Sequence, residues 1–198
     1  MHTEQRRQLG IAAAIPSLGI ILIGIFLYLH DRSPAVLIEK IPTLTASSTT
    51  SMILTSPSFN HSEKIPDKFT CDGGNINPQL VIGNVPTDAQ SLALIMDDPD
   101  APGGTFTHWT MWNIDPATTV IKEESIPSKS VEGTTSFGKV GYGGSCPPPG
   151  KAHRYFFKLY ALNSMLDLPE RSKRVDLEKE IKKHFITETQ LVGTYQRK

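Results

Sequence analysis

The chain has 198 residues, 38% hydrophobic and 20% charged, enough for one domain with a real core and too few for two large ones. Lys plus Arg and Asp plus Glu both number 20, so the formal net charge is zero, which excludes a protein that coats nucleic acid through a basic excess and an acidic disordered tail. Fifteen glycines and fifteen prolines exceed what a helical bundle tolerates, and two cysteines are too few for a disulfide-dense scaffold or a four-cysteine zinc site.

Residues 1–10 read as a short N-terminus carrying Arg6 and Arg7. Residues 11–29, from Ile11 to Leu29, are apolar on every helical face. As a helix they would be about 28 Å long, close to the ~30 Å hydrocarbon core of a bilayer. Asp31 and Arg32 follow, so the positive-inside rule puts the N-terminus in the cytoplasm and the rest outside. The segment is expected to be an uncleaved single-pass transmembrane signal anchor. A cleaved signal peptide is the alternative, but the apolar run exceeds the usual h-region and no small-residue cleavage motif follows. Residues 30–51 read as a linker, dominated by the Ser/Thr run Thr43–Ser51. Residues 52–198 are left as the folded domain.

Within it, Ser91–Met96 is a short apolar run suited to a buried strand. It is followed at once by Asp97, Asp98, Pro99 and Asp100. Carboxylates this close repel one another unless donors or cations meet them, so the cluster is either a solvated turn or a carboxylate held at a pocket mouth. Trp109–Ile114 is an aromatic-rich strand with His108 just before it. Gly141–Gly150 is a loop of glycines and prolines able to bring backbone amides close to an anion. The strongest strand, Arg154–Leu162, follows; His153 and Tyr155 lie two residues apart and so share a face. Leu177, Ile181 and Phe185 recur every four residues and predict an amphipathic helix, with Asp176 as a candidate cap. The sum is a mostly β domain with a peripheral helix.

Familiar catalytic patterns fail. Gly143-Gly144-Ser145-Cys146-Pro147 breaks the nucleophile elbow at its last position, and neither H-E-x-x-H nor a P-loop is present. Cys71, His108, Cys146 and His153 could in principle make a zinc site, but their spacings are not finger-like. No metal, cofactor, nucleic acid or enzymatic activity is expected. A hydrolase using Asp98, His108 and His153 ranks last, because no activated nucleophile is visible.

The motifs Phe69-Thr70-Cys71-Asp72-Gly73, Asp98-Pro99-Asp100-Ala101-Pro102, His108-Trp109, Gly141-Tyr142-Gly143-Gly144 with Cys146-Pro147-Pro148, and His153-Arg154-Tyr155 occur in that order. Together they resemble the phosphatidylethanolamine-binding protein family, and within it the prokaryotic Raf-kinase-inhibitor-like branch. The resemblance implies a central antiparallel sheet, a second smaller sheet and peripheral helices. It implies an anion pocket lined by Asp98, His108, His153 and Tyr155, with Gly143 in its loop, Pro99 after a cis bond and Pro148 on the rim. Asp100 and Arg154 are expected to pair, and Cys71 and Cys146 to form a disulfide if the domain lies outside the cytoplasm. The ligand implied is phosphate or a phosphorylated head group. The alternative is inhibition of a protease or kinase through the same face. The family's eukaryotic C-terminal helix is expected to be missing or altered here, because the chain stops soon after Tyr195, and a more open pocket is expected with it.

Overall fold

The structure is a computed structural model that describes residues 51–197. The anchor, the N-terminus and residues 30–50 of the linker lie outside the described residues. Among the described residues no helix is long and apolar enough to cross a membrane.

Two antiparallel sheets form the domain. The smaller is β1 (Ile53–Thr55), β2 (Leu80–Gly83) and β5 (Val120–Ile121), in the order β1-β2-β5. The larger contains β3 (Ser91–Asp98), β4 (Phe106–Ile114), β6 (Val131–Glu132), β7 (His153–Leu162) and β8 (Phe185–Tyr195), in the order β6-β4-β3-β7-β8. One α-helix, α1 (Arg174–His184), and a 3-10 turn at Asp67–Phe69 are the helices among the described residues, fewer than the resemblance implied.

The unbroken apolar run of β3 follows from its position. Every residue from Ser91 to Asp98 is buried, because the central sheet is covered on both faces. On one face Leu92, Leu94 and Met96 join Leu54, Leu80, Ile82, Phe157 and Leu159 in a core shared with the smaller sheet. On the other, Ala93 and Ile95 pack with Trp112, Leu162 and the α1 residues Leu177 and Ile181. Fully burying an aliphatic side chain of this kind contributes roughly 1.5–3 kcal/mol, so these two layers fix where the end of β3 lies.

The helix differs from its sequence expectation at both ends. It stops at His184; Phe185 has extended dihedrals, starts β8 and is 48% exposed. The four-residue period therefore ends at Ile181. Asp176 sits in the first turn, where its charge suits the helix dipole, but the N-cap is Lys173 without a side-chain bond. The Asp98–Pro99 peptide is trans: there is no cis bond among the described residues.

Candidate functional site

The acidic cluster at the end of β3 resolves into three carboxylates with separate partners. Asp97 turns to the α1 side, where it meets Lys158 Nζ at 3.0 Å and Arg174 Nη2 at 3.5 Å. Asp98 points to the opposite face. Its Oδ1 accepts the Asp100 backbone N–H at 2.8 Å and its Oδ2 accepts His153 Nδ1–H at 2.7 Å. Asp100 accepts from Arg154 three times, through the backbone N–H, Nε and Nη2, at 3.0, 2.8 and 2.7 Å. This fork holds the Asp100 carboxyl down at about 2 and ties the β3 turn to the first residues of β7.

His108 reaches the same face through a β-bulge. Met96 pairs with Trp109 and Asp97 with Thr107, so His108 is the extra residue on β4. Strict alternation would turn it away from Trp109. The bulge instead aims it at Tyr155, whose ring meets the imidazole edge-on at 5.1 Å. His108 Nδ1 lies 2.9 Å from the Gly143 carbonyl and 3.1 Å from that of Gly144. Carbonyls only accept, so Nδ1 carries the hydrogen and Nε2 is left for a ligand. The same logic at His153, whose Nδ1 faces a carboxylate, leaves its Nε2 as well. Burial pushes the His108 imidazole below its ordinary value, and the two carbonyls and the Asp98 charge pull it only part of the way back.

Tyr155 is fully buried, and its hydroxyl has no hydrogen-bond partner of good geometry. Burial first, and the Asp98 charge second, push this phenol upward, so it is a neutral donor. The Ser145 hydroxyl is also buried without a partner. Buried polar groups left unpaired are rare, and the Tyr155 hydroxyl, on the ring that packs against His108, marks a place where a ligand's oxygen would be stabilised.

The glycine loop is held by the segment Phe69–Asn75. Gly143 N–H donates to the His108 carbonyl at 2.8 Å, and Gly144 N–H to Asn75 Oδ1 at 2.7 Å. Tyr142 Oη donates to the Phe69 carbonyl at 2.7 Å. Cys71 and Cys146 form a disulfide, with Cα atoms 5.4 Å apart. The bond removes the two thiolates that a Cys2His2 zinc site would need, and no group of metal-binding side chains occurs among the described residues.

Asp98, His108, His153 and Tyr155 thus lie together, with Gly143 holding the His108 ring. Asp100 and Arg154 brace them from outside. Pro99 and Pro148 are exposed. The sequence reading missed Phe106 and Phe137, which pack on His108 at 5.1 and 5.4 Å between ring centres, and Asn75. Phe137 stands alone as an aromatic in a polar loop, and Asn75 has a left-handed φ of 53°; both are signals readable only with the fold in view.

The sequence profile described as Phosphatidylethanolamine-binding protein matches residues 55–196. The chain belongs to this family. It is 44% identical over 151 residues to a UPF0098 protein of Methanothermobacter thermautotrophicus, covering 74% of this chain and 99% of that one. It is 45% identical over 149 residues to a Pyrococcus horikoshii UPF0098 protein, covering 71% and 74%. Among solved structures it is similar to a phosphatidylethanolamine-binding protein homologue of Chlamydia trachomatis, with a TM-score of 0.71, 35% identity and coverage of 75% and 99%. It is similar as well to E. coli YbcL, described as a new member of the mammalian family, with a TM-score of 0.71, 29% identity and the same coverage. The described residues therefore have the family's fold, mostly β with two antiparallel sheets.

Proposed function

We propose that this protein is a non-catalytic binding domain for phosphate or a phosphorylated head group, tethered outside the cytoplasm by residues 11–29. The observation that carries the reading is the pair of imidazoles. Each has Nδ1 committed to a fixed acceptor and Nε2 left over, beside a buried Tyr155 hydroxyl that lacks a hydrogen bond of good geometry. A phosphate oxygen accepts from the Tyr155 hydroxyl, and from an Nε2 once that ring has taken up a proton on binding, which makes the bond charge-assisted. Asp98 is already engaged by two N–H groups, so it orients His153 rather than facing the anion.

No side chain near the site is placed as an activated nucleophile, which favours binding over turnover. The disulfide supports an oxidising location, and the apolar sequence of residues 11–29 supports the tether. The test is an NMR titration of the full-length chain in detergent micelles with phosphate and with phosphoethanolamine, following the His108, His153 and Tyr155 ring resonances. Saturable shifts at all three are expected. No shift at millimolar ligand overturns the anion reading and turns attention to a protein partner on this face.

A further inference from the structure

The disulfide lies between two opposite electrostatic environments. A guanidinium nitrogen of Arg197 is 4.0 Å from Cys146 Sγ. On the other side Asp72 Oδ1 is 4.0 Å from Cys71 Sγ, which as a disulfide sulfur has no hydrogen to donate. Arg197 Nε also pairs with Asp72 Oδ1 at 3.0 Å, and Tyr195 Oη donates to Asp72 Oδ2 at 2.8 Å, so the carboxylate is held in place. The two sulfurs are equally covalent but not equally able to carry a negative charge.

Cys71 and Cys146 are both half-buried, but a cleft adjoins Cys71. A cleft of about 360 Å³ beside the glycine loop is lined by Cys71, Asn75, Phe137 and Lys139, and Cys146 is not among its lining residues. Lys139 is exposed and makes no ion pair with any described residue. An unpaired ammonium lining this cleft attracts an anionic reagent, and the repulsion from Asp72 beside Cys71 is reduced because that carboxylate is already paired with Arg197.

We propose that Cys71–Cys146 is a directional thiol–disulfide exchange site for a small thiol bearing carboxylates. The incoming thiolate enters the cleft past Lys139 and attacks Cys71 Sγ. A new S–S bond forms to Cys71, the Cys71–Cys146 bond breaks, and its electron pair leaves on Cys146 Sγ as a thiolate beside Arg197. No net oxidation occurs: one disulfide and one thiolate become one mixed disulfide and one thiolate. Exchange is faster when the leaving sulfur is the better-stabilised thiolate, and Arg197 supplies that stabilisation on one side only. Cys146 lies two residues beyond Gly144, whose carbonyl holds His108, so the released sulfur is in the loop that shapes the site.

The test uses the full-length chain and glutathione as the probe. Samples are quenched with acid, alkylated with N-ethylmaleimide and read as peptides by mass spectrometry. Glutathione on Cys71 with maleimide on Cys146 is expected, in about tenfold excess over the reverse pattern. Equal labelling, the reverse pattern or no exchange at millimolar glutathione overturns the proposal. Arg197→Gln is expected to slow exchange about fivefold and Arg197→Lys to restore most of the rate. Unfolding exposes both sulfurs and speeds exchange, so a slower Arg197→Gln protein is not explained by loss of structure; an unchanged or faster rate counts against the role of Arg197 and overturns the proposal. Lys139→Ala is expected to narrow the preference for glutathione over the cationic thiol cysteamine; an unaltered preference removes the entry route.

Discussion

His153 donates through Nδ1 to Asp98 across 2.7 Å, and both side chains are almost wholly buried. Asp98→Ala leaves that N–H without its acceptor and frees the Asp100 amide as well. Losing a buried hydrogen bond to a charged group costs about 1.5–3 kcal/mol. The expected outcome is a loss of that size in urea unfolding of the full-length chain, with weaker phosphate binding because the His153 ring is no longer held. Unchanged stability and affinity would show that the contact does neither.

The two imidazoles are expected to act on the ligand through Nε2. Replacing either His108 or His153 by Gln removes an Nε2 that donates to the anion only once the ring has gained a proton on binding, and such a charge-assisted bond contributes roughly 1.5–3 kcal/mol. Each substitution is therefore expected to weaken phosphate binding about tenfold or more by calorimetry. Arg154→Ala, outside the site, is expected to weaken it less, because it frees only the Asp100 brace. Equal losses in all three variants would mean that the effect is structural.

Burial holds His108 below its ordinary value, and this fixes the sign of two pH effects. The folded state resists protonating this ring more than the unfolded state does. His108 thus contributes stability above the unfolded value of about 6.5, and that stability is lost as pH falls through the lower folded value. A bound anion favours the charged ring and raises its folded value, so binding tightens over the same acidic window. Sulfate, which keeps its charge there, is the cleaner probe. The expected result is a His108 ring resonance that titrates below ordinary histidine in the free protein and moves upward with sulfate. A midpoint unmoved by saturating sulfate would separate His108 from the anion.

The elements legible in the sequence are those whose buried residues follow a simple pattern, unbroken in β3, alternating in β7 and one-faced in α1. Ser91–Met96 and Arg154–Leu162 read as strands because the central sheet is covered on both faces, and Leu177 and Ile181 read as a helix face because both pack on that sheet. β8 was missed because it is an edge strand whose first half carries Thr187, Glu188, Thr189 and Gln190, a polar run without inward alternation. The site was legible as an ordered set of motifs rather than as geometry. Nothing local says that Asp97 and Asp98 face opposite ways to different cations and rings, or that a one-residue bulge turns His108 toward Tyr155. Those facts depend on register between strands distant in sequence, which pattern alone does not set.

The disulfide closes a loop with a sequence separation of 75. The chain-entropy model gives such a cross-link about 4 kcal/mol. The double variant Cys71→Ser, Cys146→Ser is expected to unfold at lower denaturant by about that amount, with little change in the slope of the transition. A loss well below 1 kcal/mol would mean that the contacts of Tyr142, Gly144 and Asn75 already hold the loop without it.

Adjacent glycines in that loop are expected to respond differently to a methyl group. A Cβ on Gly144 would lie 2.7 Å from the Phe69 carbonyl oxygen and 2.8 Å from Thr70 Cα, which are backbone atoms with nowhere to go. Gly144→Ala is expected to destabilise the protein by about 1–3 kcal/mol, as overpacking does. A Cβ on Gly143 would lie 2.5 Å from the Phe137 ring, a half-exposed side chain that can swing outward. Gly143→Ala is therefore expected to cost little stability but to lift Phe137 off His108. Water then reaches the imidazole, the desolvation that lowers its pKa weakens, and the ring's titration midpoint rises. The paired measurement is a thermal melt and a His108 titration on both variants. Two equally unstable proteins, or a Gly143→Ala protein with an unmoved His108 midpoint, would mean that Phe137 does not control the environment of this ring.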